Sequence, residues 1–419
     1  MENMLSLFLD IGGTDIKGAM ETKRFDQALR VVRLPIPIMV SPSEGEREYN
    51  PQQILETCRR VMKLCGWEEG VAADIYLSGQ MGCWILTDQD NVPVTNVISW
   101  QDQRFTFFDQ PSKEIKFDSF VPTDWIHKNG REFRSSLAPL GLYTFLTKNS
   151  VNKRLRLHSL LSWISASLDD SKSHQIHITD AASLGMVDLK EGQWMEFGGP
   201  LASLDFPRIF ETSNSEEECL PGKILVRNAI GDQQGSLLGA GLDRNSIVIN
   251  IGTGGQIAYL GSDGDNWPYQ RRPYFGGAFI NTKTHLPAGR SLAAFTKKLT
   301  LGDTTENYDW MNRCALEVEP AYDIDLYNFE NFLMENSPER GDRVMASSVV
   351  HSLINSYVNV LKESGLSGNG KTLIFAGGVG QKMTVIADTL AQKTKFNYTI
   401  SRAVETTIAG LRKLSQKQD

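Results

Sequence analysis

The chain has 419 residues, 43 Lys and Arg against 50 Asp and Glu for a net charge of −7, and 41% apolar and 9% aromatic content. At about 150 residues per domain this length predicts two or three globular domains and excludes a small module or a disordered tail. Basic clusters such as Lys297-Lys298 are only pairs, so no nucleic-acid partner is expected. The sequence shows neither a run of about 18 consecutive apolar residues nor a basic leader, so no membrane partner and a cytoplasmic location are expected.

The opening apolar run Leu5–Leu9 leads into Asp10-Ile11-Gly12-Gly13-Thr14-Asp15 and resumes at Ile16, which predicts a β-hairpin. Asn50 as N-cap, Pro51 at the first helical position, apolar residues at 54, 55, 58, 61, 62 and 65, and Gly66 as the stop predict a helix over 50–65. A buried strand is predicted over 74–79, with 84–87 as its hairpin partner, and a strand end at 97–100 leads into Gln101-Asp102-Gln103-Arg104. Between about 105 and 220 the pattern is mixed, with helical stretches near 136–147 and 154–168 and a polar segment at 211–218, and no chemistry is assigned there.

A second organised block begins near 223. Ala229-Ile230-Gly231-Asp232-Gln233-Gln234-Gly235 opens a small-residue helix to Gly241, then a strand over 247–250 delivers Ile251-Gly252-Thr253-Gly254-Gly255 and a second strand over 256–260. This repeats the N-terminal hairpin and predicts two similar domains facing each other, 1–241 and 242–419, joined at a hinge near 241. Another strand meets glycines at Leu373-Ile374-Phe375-Ala376-Gly377-Gly378-Val379-Gly380, and helices are predicted over 382–391 and 403–414.

The five cysteines, Cys58, Cys65, Cys83, Cys219 and Cys314, include no Cys-x-x-Cys pair and read as reduced thiols. His174 and His177 have no companions for a zinc site and read as local structure.

Glycine turns at strand ends let backbone N–H groups approach phosphate oxygens, and threonine hydroxyls add donors. Neither turn is a Walker A loop or a dinucleotide fingerprint. Two related turns, each with a carboxylate nearby, instead suit phosphoryl transfer, which requires Mg²⁺ on the phosphates and an acceptor for the incoming hydroxyl's proton. Asp10 is the candidate Mg²⁺ organiser, and Asp232 is the second candidate carboxylate at the metal and substrate.

At these residues the sequence resembles the FGGY carbohydrate kinases, within the larger actin-like, sugar-kinase and heat-shock ATPase fold. Asp10-Ile11-Gly12-Gly13-Thr14 is similar to the first phosphate motif and Trp100-Gln101-Asp102-Gln103-Arg104 to the Trp-x-Asp-x-Arg element. Gly231-Asp232-Gln233-Gln234 resembles the segment with the catalytic base, Asn250-Ile251-Gly252-Thr253-Gly254 the second phosphate motif, and Ala376-Gly377-Gly378-Val379-Gly380-Gln381 the adenosine motif.

The resemblance implies an α/β fold of two ribonuclease H-like (actin-like ATPase) domains with a cleft between them, and a sugar kinase using ATP and Mg²⁺. It implies Asp232 as catalytic base, and Gly12, Gly13, Thr14, Lys17, Gly252, Thr253, Gly254, Gly377, Gly378 and Gln381 at the nucleotide. Gln80, Met81, Trp100, Asp102, Asp232 and Gln233 are implied at a small-molecule sugar, Asp10 and Asp232 at the metal, and a homodimer as the assembly to consider.

Ser78-Gly79-Gln80-Met81-Gly82 resembles the Gly-Gln-Met-His-Gly segment of xylulose and sedoheptulose kinases more than the Arg-Glu pair of glycerol kinases, with Gly82 in place of the histidine. Further segments, Arg272-Pro273-Tyr274-Phe275 and Leu292-Ala293-Ala294-Phe295, favour sedoheptulose over xylulose or ribulose. The opening motif is also similar to that of the ROK sugar kinases, whose Cys-rich zinc segment has no counterpart here. A non-catalytic sugar sensor on the same fold is the alternative of another class.

Overall fold

Asn50 accepts hydrogen bonds from the backbone N–H groups of Gln52 and Gln53 at 3.0 and 3.2 Å, and so starts the helix Pro51–Leu64 where the sequence places it. The helix buries Ile54, Leu55, Cys58, Val61 and Met62, and Gly66, at φ +104°, follows its end. It packs on a five-stranded sheet. The computed structural model describes residues 5–22, 29–104, 120–134, 136–149, 153–170, 173–211, 223–262, 267–299, 305–336, 342–366 and 370–416.

These residues divide into two compact units. The boundary expected at 241 falls beside the Gly239/Ala240 junction, but two later segments, Arg271–Ala278 and Thr407–Asp419, cluster with the first unit, Met1–Gly239. The second unit is Ala240–Gln270 with Phe279–Thr406. Cys219 and most of the polar segment 211–218 lie outside the described residues.

In the first unit the strands run in the order Ile224–Gly231, Ala73–Gly79, Leu5–Ile11, Asp15–Thr22, Val32–Pro35. The first three are parallel, and the opening hairpin pairs Ile11 with Ile16. Alternating residues fill opposite faces of this sheet. Leu7, Leu9, Ile75 and Leu77 pack on one side with the helix Pro51–Leu64, while Phe8, Tyr76 and Ile230 meet Ile408 and Leu411 on the other.

Ile408 and Leu411 belong to the closing helix, Thr406–Gln416, which begins three residues later than expected because 403–405 are not helical. Burying two such side chains contributes about 1.5–3 kcal/mol each. A Cβ at Gly410 would overlap the backbone of Gly235, so glycine permits this close approach to the helix Asp232–Ala240.

Two expectations need correction. Trp84–Thr87 is a strand, but it pairs with Val97–Ile98 and Arg156–Ser159 in a separate four-stranded sheet and not with Ala73–Gly79. The chain leaves the first sheet after Gly79 and turns at Gly82, whose φ is +76°, before it extends again. The helical stretch expected over 154–168 is a strand, Arg156–Ser159, followed by a helix, Leu160–Leu168, which Ser159 starts by accepting from Ser162 N–H.

The second unit repeats the pattern: Ser246–Ile251 is antiparallel to Gly255–Gly261 and parallel to Thr372–Ala376, as Leu5–Ile11 is to Asp15–Thr22 and Ala73–Gly79. The helix expected over 382–391 is two pieces, Gly378–Lys382 and Thr384–Thr394, separated at Met383. The helix Arg343–Glu363 is long and apolar enough by composition to cross a membrane, a feature a search for consecutive apolar residues misses. Val349, Val350, Leu353, Ile354 and Tyr357 of this helix are fully buried in the core of the unit, as in the core helix of a globular domain.

Asn50→Ala removes the cap acceptor while leaving the core untouched, and is expected to lower stability by about 1 kcal/mol in urea unfolding. No change in midpoint would show that the two N-terminal amides are equally well served by water.

Candidate active site

The register of the parallel strands brings the sequence-predicted residues of the first unit together. Asp10 lies opposite Ser78, Ser78 opposite Ile230, and Gly79 opposite both Ile11 and Gly231, so three strands end at one edge. Asp10 is the penultimate residue of one strand, Gln80 and Met81 leave the second, and Asp232 follows the third. The Gln80 N–H donates to the Ile11 carbonyl at 2.8 Å, which holds the turn to the first strand. Gly79 has no room for a side chain, since a Cβ would lie 2.7 Å from the Ile11 oxygen. Met81 packs on Gly231, where a Cβ would come within 2.7 Å of its sulfur.

Around this edge the expected sugar-side residues take distinct roles. Trp100 Nε1 donates to Gln80 Oε1 at 3.2 Å, so the indole orients the buried amide. Gln233 is buried and accepts from Arg272 Nη1 at 2.6 Å. Asp102 is engaged within the protein: Oδ2 accepts from the Arg47 N–H at 2.7 Å and from Arg104 Nη2 at 2.7 Å, and Oδ1 accepts from Arg104 Nε at 2.9 Å. Asp102 therefore holds the 99–104 turn, with Glu48 as a second partner of Arg104.

Asp232 stands at the start of the helix Asp232–Ala240, where Oδ1 accepts from the Gln233 N–H at 2.7 Å. Burial raises its pKa from 3.8 to about 6, opposed by that hydrogen bond and by the positive charges of Arg272 and Arg134. A carboxylate held near neutrality is suited to accept a proton.

The segment to which no chemistry was assigned supplies the rest of the surroundings. Asp180 is buried, accepts from Ser159 Oγ, and is pushed up to about 7 by burial, lowered by Ser159 and raised by the Asp232 charge. Thr179 Oγ1 accepts from the Gly231 N–H at 3.2 Å, and Ser183 Oγ accepts from the Gly82 N–H at 2.8 Å. Arg272, on a segment some 40 residues beyond Asp232, pairs with Glu132 through Nε. No signal in the 105–220 sequence marks these residues, because a lone Asp, Thr or Glu has neither spacing nor composition to distinguish it.

His177 is likewise structural, with Nδ1 against Thr179 Oγ1 and Nε2 against the Glu211 carbonyl. His174 meets the Leu157 carbonyl at 3.0 Å.

The two glycine turns share one exposure pattern: Gly13 and Thr14 in one, and Thr253 and Gly254 in the other, are exposed beside half-buried Gly12 and Gly252. Each is closed by a backbone bond, Gly12 N–H to the Asp15 carbonyl and Gly252 N–H to the Gly254 carbonyl, both 3.0 Å. A Cβ at Gly13 or Gly254 would meet no heavy atom within 4 Å, so these faces have room for an anionic group. Lys17 lies opposite Asp10 in the hairpin.

In the second unit the Gly289 and Arg290 N–H groups bind the carbonyls of Gly252 and Thr253, a clamp on the turn that motif reading does not reveal. Gly377, at φ +79°, has no room for a side chain, with Asn250 Oδ1 2.5 Å from a Cβ, while Gly378 is open. Gln381 uses its amide nitrogen on the carbonyls of Ser401 and Ala403, so it braces that loop.

Among the described residues no group of three His, Cys, Asp or Glu could hold a metal. A single buried carboxylate, Asp10, beside an open glycine turn fits a hydrated Mg²⁺ arriving on a nucleotide.

Residues 5–261 match the model of the FGGY family of carbohydrate kinases, N-terminal domain. The chain belongs to the FGGY family. A glycerol kinase from Marinomonas sp. (strain MWYL1) is 28% identical over 228 residues, 48% of this chain and 43% of the relative, so the chain matches less than half the length of that protein. The xylulose kinase of Lactobacillus acidophilus has a TM-score of 0.76 at 17% identity, over 99% of this chain and 89% of that one. Plasmodium falciparum glycerol kinase with ADP has a TM-score of 0.75 at 15% identity, over 98% and 89%. These structures share the FGGY α/β fold with two actin-like domains.

Both raised carboxylates stabilise the fold in their protonated form, fully below the unfolded value of 3.8, and this contribution is lost as pH rises through about 6 for Asp232 and about 7 for Asp180. Asp180→Asn, which removes the ionisable group but keeps a carbonyl acceptor for Ser159, is therefore expected to melt higher than the unmodified protein at pH 8, with the gain gone at pH 4. An equal gain at both pH values would mean that burial of charge is not the cause.

Proposed function

We propose that the protein is an ATP-dependent carbohydrate kinase that phosphorylates a hydroxyl of a ketose, sedoheptulose being favoured, with Asp232 as general base. The observation that carries this reading is the position of Asp232: half-buried, following the strand end beside which Gln80 and Met81 leave the sheet, with its pKa raised to about 6 by desolvation against two guanidinium groups. The Asp232 carboxylate accepts the proton of the sugar hydroxyl as its oxygen attacks the γ-phosphorus of ATP, while ADP leaves with the electrons of the broken P–O bond. Such help is worth on the order of 10²–10⁴ in rate.

Gly12, Gly13 and Thr14 in the first unit, and Gly252, Thr253 and Gly254 in the second, each offer backbone and hydroxyl donors suited to phosphate oxygens. Mg²⁺, when bound, neutralises charge on the phosphate oxygens. Asp10 would hold its water shell, and the open face at Gly378 leaves room for the nucleoside. The net charge of −7 supplies no positive field to gather ATP, so these local donors carry the binding.

A second reading is a polyol substrate, favoured by the glycerol kinases among the relatives and opposed by the Gln80-Met81-Gly82 segment.

Measuring ATP consumption across ketoses and polyols tests the substrate. Asp232→Asn is expected to fold and bind sugar but to lose at least ~10² in turnover, and retained turnover would remove Asp232 from the mechanism. In the unmodified enzyme kcat/KM should fall below about pH 6 as Asp232 takes up its proton. Asp10→Asn should raise the Mg²⁺ concentration needed for half-maximal rate, and an unchanged requirement would place the ion elsewhere.

A further inference from the structure

Gly82 has φ +76°, and a Cβ built there would overlap Nη2 of Arg134, 52 residues further along the chain. The guanidinium thus stands where the side chain of residue 82 would begin, immediately after Gln80 and Met81. Arg134 donates from Nη2 to the Ser183 carbonyl at 3.2 Å, while its Nε is buried with no hydrogen-bond partner among the described residues. Its neighbour Arg272, in contrast, is satisfied by Glu132 and Gln233. Met81, the residue before Gly82, packs on Gly231, the residue before Asp232, so the guanidinium stands near the end of the strand that carries the base, and the two charges interact. Part of Arg134 remains exposed, so it is not sealed in the core.

A guanidinium offers only donors, in a fixed fork, and leaving one of them desolvated and unused is costly. A ligand oxygen relieves that cost. We propose that Arg134 is a substrate-binding, specificity-determining residue of the Asp232 site, donating to an acceptor oxygen, hydroxyl or carbonyl, of a polyhydroxy substrate, and that Gly82 is glycine because the guanidinium needs its side-chain volume. The nature of the substrate rests on the carbohydrate-kinase reading. The positioning of the guanidinium does not. With Arg134 and Asp232 of opposite charge at one site, the substrate is held between a donor group and a proton acceptor, so an oxygen-rich molecule with neighbouring hydroxyls fits better than one with a single polar end.

The test measures sugar binding by the full chain, separately from turnover, as the melting-temperature shift and calorimetric affinity with each of a panel of ketoses and polyols. Arg134→Met is expected to weaken sugar binding roughly 10–100-fold, the loss typical of a charge-assisted hydrogen bond, with ATP affinity and ligand-free melting temperature unchanged. Arg134→Lys should recover part of the loss. Unaltered sugar binding in Arg134→Met overturns the proposal. So does a fall in ligand-free melting temperature with parallel losses for sugar and ATP that lysine does not repair, since that marks Arg134 as a tether for Ser183. If the unmodified protein binds a sugar through Arg134 but phosphorylates none, the kinase reading fails and this proposal stands. If it binds no sugar or polyol, both fall.

Discussion

The close approach of three parallel strands at Gly79 is the constraint on which the first unit depends. Ile11, Gly79 and Gly231 lie side by side, and the central position admits no Cβ because the Ile11 carbonyl and Leu161 occupy that space. In parallel α/β sheets the strand C-termini share one edge, and chain leaving that edge is free to carry functional groups. Here it carries Asp10, Gln80, Met81 and Asp232. A slip of one residue in any of these strands would turn the side chains to the opposite face and scatter the set. The same strand, turn and parallel neighbour recur in the second unit, with Asn250 and Ala376 paired at the corresponding edge.

The electrostatics of the edge follow from burial. Asp180 is buried and Asp232 half-buried, and desolvation raises the pKa of each above its ordinary range. Two guanidinium groups and the Gln233 amide oppose it at Asp232, and only Ser159 does so at Asp180, so the two carboxylates titrate differently although they are neighbours. This separation leaves Asp232 as the ionised partner near neutral pH. Arg272 is fixed by Glu132 and Gln233, so its charge is held in place.

Much of the local structure was legible. The hairpins, the capped helix Pro51–Leu64 and the strand before Gly377 are each signalled within a dozen or so residues, by apolar spacing, a capping Asn, or glycine after a β-branched run. Trp84–Thr87 shows the limit of such reading: its strand character is local, but its choice of partner, Arg156–Ser159 over the preceding strand, depends on a residue pair more than 70 positions apart. The site divides the same way. Asp10, the two glycine turns and Asp232 are visible as motifs, whereas Glu132, Arg134, Thr179, Asp180 and Ser183 have no pattern of their own.

The sequence by itself determined the duplicated hairpin and the family, because these depend on short-range order and on residue types that tight turns require. Only the tertiary structure decided that Asp102 serves Arg104, that Gln381 braces the 401–403 loop, that the closing helix and Arg271–Ala278 cluster with the first unit, and that Gly82 makes room for a guanidinium. Those outcomes are set by packing and by the demand that buried polar groups find partners, whether the partner is two residues away, as for Asp102 and Arg104, or 52, as for Gly82 and Arg134, and neither condition is written into any single segment.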